Sequence, residues 1–472
     1  MNQDITCKKN TDFSDWYREI VIKGELIDYY DVKGCYILLP NACTIWENIK
    51  RYLDNELKNR GVENYYFPLF LTKTNLEKEQ NFLEGFKAEV AWINDNECKN
   101  ALRPTSECII CPSIAKKIRS HSDLPKKINQ YCNVVRNEIK ETVPFIRSRE
   151  FLWQEGHSFY DNYNDARDEV IDIINLYQNI YEKMLAVPVI LGLKTKSETF
   201  AGAEYTYTIE GFIPEAQKAI QCATAHSLGH NFSKMFDISY LDKNMNKEYC
   251  FYNSWGITTR SIGVMIQTHS DNRGLVFPPK IAPIHIVIIP IHNKKNMDFV
   301  INSAKTLYDH LVKYFNVKLD ISKNTPGYKY NHWELRGVPL RIELGEKEIK
   351  NETITIVRRD NMEKYIIPQF DIDKIKNIMD IMQNELYNSA KLKLLSSIKF
   401  VDKTNIDNFV TKNIVVVKFC GNIDCEKCLK DKYGIKSLCL PKDDKINLPQ
   451  NEFGCIVCDR TTDNYCLFSK SY

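Results

Sequence analysis

The sequence predicts an α+β protein of three domains. Its 472 residues correspond to about three domains at roughly 150 residues each. Between about residues 130 and 275, alternating and β-branched runs separated by polar turns indicate a broad antiparallel sheet. After Pro278 and Pro279, apolar runs alternate with helical spacings, which indicates an α/β unit, and beyond about residue 395 lysine and cysteine predominate. We therefore place the domains at residues 1–282, 283–394 and 395–472.

Composition and charge exclude several classes of protein. At 43% hydrophobic and 26% charged residues, the chain has the composition of a folded globular protein. Its net charge of +3 means that any nucleic-acid site has to be a local basic patch. Met1 is not followed by the basic and apolar regions of a signal peptide, and no apolar run is long enough to cross a membrane. We therefore expect a cytoplasmic protein that does not enter a membrane.

The first domain is expected to open with helices. Apolar residues recur at helical spacing from Ile45 to Leu57, and Gly61 is placed to end that helix. Residues 65–69 then have the composition of a strand, and the proline at position 68 favours an edge or interface position.

The second domain is expected to alternate strands and helices. Residues 284–291 form an almost continuous apolar run, typical of a strand buried on both faces. Helices are predicted near residues 296–314 and 372–390, and strands near residues 338–344 and 353–358. This alternation is typical of a smaller α/β domain.

A charged β-hairpin is the first feature that indicates chemistry. Residues 132–138 predict one strand and residues 147–157 the returning strand. Period-two spacing places six residues of the returning strand on one face: Arg147, Arg149, Phe151, Trp153, Glu155 and His157. Burying such a face is costly without charged ligands or partners. The alternative is a solvent-facing salt-bridge ladder, but the interleaved aromatic residues favour burial.

A strand that turns into a helix at residues 255–263 is the second such feature. Arg260 lies at the junction between small residues, where its guanidinium can reach a phosphate packed against the sheet. A purely structural arginine that ties the strand to the helix is an equally good interpretation of the pattern alone.

Together, the hairpin and the segment Gly256–Arg260 resemble motifs 2 and 3 of the class II aminoacyl-tRNA synthetases. More narrowly, the chain resembles the prolyl-tRNA synthetase family of the archaeal and eukaryotic type. The resemblance runs from about residue 12 to residue 472, and its supporting segments are residues 13–17, 34–38, 103–107, 200–206, 231–236 and 471–472.

The resemblance implies a fold and a reaction. The fold would be a class II antiparallel-sheet catalytic domain, an α/β anticodon-binding domain and a small zinc-binding-type C-terminal α+β domain. ATP, with Mg²⁺, and L-proline would form prolyl-adenylate, and the prolyl group would pass to tRNA(Pro). About a hundred residues separate the two ATP motifs, which leaves no room for an inserted editing domain. Pro68 matches the motif 1 proline, which implies a homodimer.

The resemblance also assigns site residues. Arg136 and Arg260 would be the catalytic arginines, and Thr105 and Glu107 would accept hydrogen bonds from the proline amino group. The remaining proline contacts would be Arg136, Trp153, Glu155, His157, Phe200 and His226. The ATP contacts would be Phe86, Arg136, Glu138, Arg147, Ser148, Gln221, Thr224, Thr258 and Arg260.

Two positions depart from the family pattern. Ser227 stands where the family usually has a second histidine, and Asn137 where it usually has tryptophan. Neither change removes an expected charged group. The alternatives to an enzyme are a paralogue that binds tRNA without activating an amino acid and a zinc-stabilised tRNA-binding scaffold. The intact hairpin argues against both.

The resemblance places the anticodon site in the second domain. Glu334 and Arg341 lie where relatives read guanine edges, arginine being the natural bidentate partner of guanine. Lys347 is a further candidate from the same segment. The alternative is a charged strand end with a structural ion pair.

The C-terminal cysteines leave a choice of zinc ligands. Pattern alone favours two Cys-x-x-Cys pairs, Cys425 with Cys428 and Cys455 with Cys458. The resemblance instead implies a site for Zn²⁺ made of Cys420, Cys425, Cys455 and Cys458.

Overall fold

The structure is a computed structural model. It describes residues 4–82, 90–94, 99–442, 445–446, 448 and 454–472. Among the helices in these ranges, none is both long and apolar enough to cross a membrane.

The N-terminal part of the first domain is mainly helical, as predicted. Its elements are α1 (Phe13–Lys23), β1 (Ile27–Tyr29), β2 (Tyr36–Leu38), α2 (Pro40–Asn59), β3 (Glu63–Asn64), β4 (Phe70–Thr72), α3 (Lys73–Phe82), β5 (Trp92–Asn94), β6 (Lys99–Leu102) and α4 (Glu107–Ala115). Helix α2 begins at a proline, whose fixed φ suits the first helical position. Gly61, with φ of 74°, follows its end.

The predicted strand over residues 65–69 is wrong in its extent. Only β3 pairs with the sheet, and Tyr65 adds one main-chain bond, from its N–H to the carbonyl of Asn129 at 2.7 Å. The chain then leaves the sheet, because Phe67 donates its N–H to the side chain of Gln130 at 3.1 Å and Pro68 has no N–H to donate. The edge position is confirmed, since β3 is the last strand of its sheet.

The antiparallel sheet predicted after residue 130 is confirmed. The elements from this point are β7 (Lys126–Val135), β8 (Glu150–Tyr160), α5 (Tyr163–Asn179), β9 (Ile190–Leu193), β10 (Tyr205–Ile213), β11 (Lys218–Gly229), α6 (Asn231–Met235), β12 (Ser239–Leu241), β13 (Lys247–Tyr249), β14 (Phe251–Thr258) and α7 (Arg260–His269). A single turn of π-helix, Ile180–Met184, continues α5. In the sheet, β9, β10, β11, β14, β8 and β7 are neighbours in that order, all antiparallel.

Helix α5 interrupts the run that the pattern assigned to the sheet. Asn162 caps it by accepting the N–H of Asp165 at 2.9 Å. Its buried residues include Ala166, Val170 and Ile173, which follow helical spacing. The helix packs across β10, β11, β14 and β8, so its apolar stripe covers one face of the sheet.

The second domain has a mixed five-stranded sheet. Its elements are β15 (Ile286–Ile291), α8 (Met297–Leu311), β16 (Val317–Leu319), α9 (Pro326–Leu335), β17 (Leu340–Gly345), α10 (Glu346–Lys350), β18 (Thr353–Arg358), β19 (Lys364–Pro368) and α11 (Ile372–Ser396). The central strand β15 pairs in parallel with β16 and β17, and β18 and β19 complete the sheet in antiparallel pairing. The apolar run at 284–291 is therefore a central strand, and β15 is buried along nearly its whole length.

The third domain extends the sheet of the first. Its elements are β20 (Ile398–Phe400), β21 (Ile414–Lys418), α12 (Ile423–Tyr433), β22 (Lys436–Pro441) and β23 (Tyr465–Ser469). Strand β22 pairs with β9, Leu440 facing Leu193, so the joined sheet has 11 strands in the described part of the chain. The third domain and the antiparallel sheet of the first domain therefore share one hydrogen-bonded layer.

Candidate active site

A cavity of about 450 Å³ lies over the sheet between β8, β10, β11 and β14 and the starts of α4 and α7. It is lined by the predicted residues Thr105, Glu107, Arg136, Glu138, Arg147, Ser148, Trp153, Glu155, His157, Phe200, Gln221, Thr224, His226, Thr258 and Arg260. Phe86 lies outside the described residues. The fold therefore brings together, in one cavity, the described residues that the resemblance assigns to proline and ATP.

Arg136 enters the cavity from the first strand of the hairpin. Its N–H donates to the carbonyl of Arg149 at 2.8 Å, which extends the pairing of β7 and β8 by one residue. Its guanidinium lies 5.3 Å from the ring of Phe151 and 5.9 Å from that of Trp153. Burial lowers the pKa of Arg136, and no carboxylate in the described chain forms an ion pair with it. An anion in the cavity would relieve this cost.

Arg260 occupies the junction between β14 and α7. Its N–H donates to Thr258 Oγ1 at 3.0 Å, its Nε to the carbonyl of Ile146 at 2.9 Å and its Nη1 to that of Gln221 at 3.0 Å. Burial lowers the pKa of Arg260 as well. The side chain ties the helix start to the hairpin loop and to β11, and it also lines the cavity. The structural interpretation of the sequence is therefore confirmed, and the contact with a phosphate stays a prediction.

Two buried carboxylates mark the other side of the cavity. Glu107, the first residue of α4, accepts a hydrogen bond from the hydroxyl of Thr105. Glu155 accepts hydrogen bonds from the hydroxyl of Ser106 and from Gln130 Nε2, the latter at 2.6 Å, and lies 3.2 Å from His157 Nε2. These contacts hold acceptors in place for a cationic amine.

His226 is a neutral polar wall of the cavity. Its Nδ1 lies 2.9 Å from the hydroxyl of Thr206 and its Nε2 lies 3.0 Å from that of Thr224. Burial, with the charges of His157 and Lys194 adding to it, lowers the pKa of His226 to about 3. The ring of Phe200 packs 4.9 Å from the imidazole. Both ring nitrogens of His226 thus have hydrogen-bond partners, and the side chain also lines the cavity.

Several residues that line the cavity were not predicted from the sequence. Thr206 on β10 faces His226 across the strand pair, and Ser254 and Gly256 lie on β14 at period two from Thr258. The period-two spacing along β14 could have identified Ser254 and Gly256 from the sequence. No such spacing could have identified Glu198, because it lies in the turn that precedes β10.

Arg149 departs from the predicted face. It does not line the cavity, although Arg147 does. Its N–H donates to the carbonyl of Gly34 at 2.8 Å. Gly34 has φ of 85°, and a Cβ there would lie 3.0 Å from the Cβ of Arg149. The period-two face therefore begins at Phe151, one residue into β8, whereas Arg147 and Arg149 belong to the hairpin loop.

The anticodon candidates form an ion-paired cluster. Arg341 on β17 bonds to Glu334 at the end of α9 and to Glu343, with Nη2 3.0 Å from Glu343 Oε1. Its guanidinium also lies 4.0 Å from the ring of Tyr330. Lys347 is exposed on α10. The structural ion pair, the alternative interpretation of this segment, is therefore present.

Four cysteine thiols converge in the third domain. The sulfurs of Cys420, Cys425, Cys455 and Cys458 all lie within 4.8 Å of one another. Cys428 is exposed on α12 and is not part of the group. Four thiols at such distances suit the tetrahedral coordination of zinc. The structure thus brings together the set that the resemblance implied rather than the two Cys-x-x-Cys pairs.

An antiparallel sheet that carries one arginine from a hairpin and one from a strand–helix junction defines the catalytic core of a class II aminoacyl-tRNA synthetase. Family models agree: residues 86–269 match the tRNA synthetase class II core domain (G, H, P, S and T), residues 285–379 the anticodon binding domain, and residues 405–472 the C-terminal domain of prolyl-tRNA synthetase. The chain belongs to the prolyl-tRNA synthetase family.

Relatives support the same family over the whole chain. The proline–tRNA ligase of Clostridium novyi (strain NT) is 42% identical over 98% of this chain and 97% of its own length. Proline–tRNA ligase 2 of Bacillus cereus (strain ATCC 10987 / NRS 248) is 41% identical over 100% of this chain and 99% of its own. The crystal structure of prolyl-tRNA synthetase from Cryptosporidium parvum, complexed with L-proline and AMP, superposes with a TM-score of 0.93 at 43% identity and covers 100% of this chain and 98% of that one.

Proposed function

We propose that the chain activates L-proline with ATP to prolyl-adenylate and diphosphate, and then transfers the prolyl group to the 3′ end of tRNA(Pro). The observation that carries the proposal is the pairing, in one cavity, of two half-buried arginines that form no ion pair with a carboxylate in the described chain with two buried carboxylates, Glu107 and Glu155. The cations suit phosphates and the carboxylates suit an amine.

Charge neutralisation and positioning supply the chemistry. A carboxylate oxygen of proline attacks the α-phosphorus of ATP, the bond from that phosphorus to the bridging oxygen breaks, and diphosphate leaves. Arg136 and Arg260 neutralise the negative charge that builds up on the phosphates. No covalent bond to the enzyme forms. The Mg²⁺ that accompanies ATP prefers oxygen ligands, and Glu138 and Gln221 offer them at the cavity wall.

The amino acid would bind at the carboxylate side of the cavity. Thr105 and Glu107 accept hydrogen bonds from the secondary amine of proline, and the aromatic walls of Trp153 and Phe200 pack against its ring. His226 stays neutral at physiological pH because of its depressed pKa. It therefore adds no positive charge next to the cationic amine.

ATP–pyrophosphate exchange tests the proposal. The purified chain should exchange label from diphosphate into ATP when proline is present, and not when threonine or histidine replaces proline. Exchange with threonine or histidine instead would place the chain elsewhere in class II. No exchange with any of the three would favour a paralogue that does not activate amino acids.

The tRNA contact is proposed to lie on the second domain. Glu334, Arg341 and Lys347 would contact the anticodon, with the guanidinium as the bidentate partner of guanine. The three lie at the end of α9, on β17 and on α10, which follow one another along the chain. We further propose that the enzyme works in the cytoplasm.

A homodimer is proposed to form at the edge strand β3. Pro68 is exposed beside Tyr66 and Phe70, whose exposed fractions are 80% and 57%. Aromatic side chains at that exposure favour burial against a partner. Sedimentation of the wild type should give twice the mass of one chain, and Tyr66→Glu should shift the protein toward the monomer. A monomeric wild type would reject this part of the proposal.

Structural zinc is proposed at Cys420, Cys425, Cys455 and Cys458. When bound, the metal would link α12 to the loop before β23. Metal analysis of the purified protein should find one zinc per chain. Cys455→Ser should lose it, and Cys428→Ser, the matched control three residues from Cys425, should keep it. Loss of zinc from Cys428→Ser would show that the two Cys-x-x-Cys pairs are the ligands.

A further inference from the structure

A buried polar cluster joins the third domain to the turn that precedes β10. Glu426 lies next to Cys425 in α12, and its Oε1 accepts hydrogen bonds from the hydroxyls of Thr195, at 3.1 Å, and Ser437. The two hydroxyls lie 2.9 Å apart. The exposed fractions of Glu426, Thr195 and Ser437 are 8%, 5% and 2%. A carboxylate buried to this degree is held by partners at fixed positions, and one of them belongs to the first domain.

Thr195 organises the turn that follows it. Its carbonyl accepts the N–H groups of Glu198, at 3.2 Å, and Thr199, at 2.9 Å, and the hydroxyl of Thr199 at 2.8 Å. The turn then delivers Glu198 and Phe200 to the cavity wall. The N–H of Phe200 donates to the hydroxyl of Thr206 at 3.3 Å, which in turn contacts His226. The position of the Phe200 wall thus depends on where Thr195 is held.

We propose that Glu426 is a positioning residue for the proline site, acting from the C-terminal domain through Thr195 on the turn that carries Glu198 and Phe200. The inference rests on the proposed activation of proline. It gives the third domain a role in substrate affinity. Arg136 and Arg260 are held by other elements: Arg136 donates to the carbonyl of Pro104 before α4, and Arg260 donates to the carbonyls of Ile146 in the hairpin loop and Gln221 on β11. Loss of the Glu426 contact should therefore affect proline more than ATP.

Two matched pairs of variants test the role. Thr195→Val removes the hydroxyl and keeps the shape, whereas Thr195→Ser keeps the hydroxyl. Glu426→Ala removes the acceptor, whereas Glu426→Gln keeps one oxygen. We expect Thr195→Val and Glu426→Ala to raise KM for proline about tenfold in pyrophosphate exchange, as for loss of one hydrogen bond to a charged group. KM for ATP should stay at the wild-type value, and Thr195→Ser and Glu426→Gln should remain close to wild type.

The outcomes separate three cases. A wild type without proline-dependent exchange rejects the proposed function itself. An active wild type whose KM for proline does not respond to Thr195→Val rejects the role of Glu426. Equal increases in KM for proline and for ATP, together with a lower melting temperature, would mean that the contact is merely structural, and would also reject it. Should Glu426→Ala fail to fold, the Thr195 pair decides, because it changes only a hydroxyl and a methyl group.

Discussion

Arginines in the first and second domains are held in opposite ways. Arg136 and Arg260 in the cavity donate to main-chain carbonyls, and within the described residues neither forms an ion pair with a carboxylate. Arg341 in the second domain is buried, and it is paired with both Glu334 and Glu343. The three guanidinium groups thus fall into two electrostatic states, without a carboxylate partner in the cavity and ion-paired in the second domain.

The difference indicates what each site can bind. A guanidinium that is desolvated without a counter-ion raises the local potential, so it favours an anionic ligand such as a polyphosphate. A guanidinium already balanced by two carboxylates favours a neutral ligand with acceptor atoms, such as a base edge. The comparison therefore supports ATP in the first domain and a base in the second.

Removal of a cavity arginine should have the largest effect. Arg136→Ala or Arg260→Ala should lower kcat/KM for pyrophosphate exchange at least about 10³-fold, as for loss of a main donor to the charge that develops in a transition state. Arg136→Lys should recover part of the activity, because lysine keeps the charge but not the planar fork. Arg167, which is exposed and paired with Asp168 on the surface, provides the control, and Arg167→Ala should exchange like the wild type. Near-normal exchange by Arg136→Ala would remove the distinction between the two sites.

Removal of the paired arginine should have a smaller and more selective effect. Arg341→Ala should raise KM for tRNA about tenfold in aminoacylation, the value of a bidentate contact to a base. Exchange of pyrophosphate, which needs no tRNA, should not change. Lys364→Ala removes another charge beside Glu343 and should leave both activities intact. Equal losses in exchange and aminoacylation by Arg341→Ala would assign the residue a structural role only.

The sequence predicted the cavity better than it predicted the chain's path around the cavity. The hairpin and the strand–helix junction are local patterns, so period two and the flanking small residues located Trp153, Glu155 and Arg260 in advance. Helix α5 was missed, although the capping residue Asn162 and the apolar spacing that begins at Ala166 indicate a helix, because the segments on both sides have the pattern of strands.

The pairing of β22 with β9 could not be predicted, because Leu440 and Leu193 are distant in sequence and no local spacing encodes their contact. The contact of Glu426 with Thr195 was hidden for the same reason.

The smallest predicted effect concerns the protonation of His226 in the cavity wall. The pKa of His226 is about 3 in the folded chain, against about 6.5 for an ordinary histidine. As pH falls below about 6.5, the unfolded chain takes up a proton that folded His226 refuses, so stability declines by up to about 1.4 kcal/mol per pH unit until pH nears the folded pKa. Above that window His226 contributes no pH dependence.

His226→Gln should therefore lose less stability than the wild type when pH is lowered from 7.5 to 5.5, by about 1.4 kcal/mol. His269, whose pKa is lowered to about 4 by burial, remains in the variant, so the acid loss is reduced and not abolished. Urea denaturation at the two pH values measures the difference. Wild-type KM for proline should show no ionisation of this histidine between pH 6 and 8. A titration of His226 in that range, followed by the NMR shift of its ring protons, would mean that the imidazole carries charge beside the amine, and the electrostatic contrast between the two sides of the cavity would be lost.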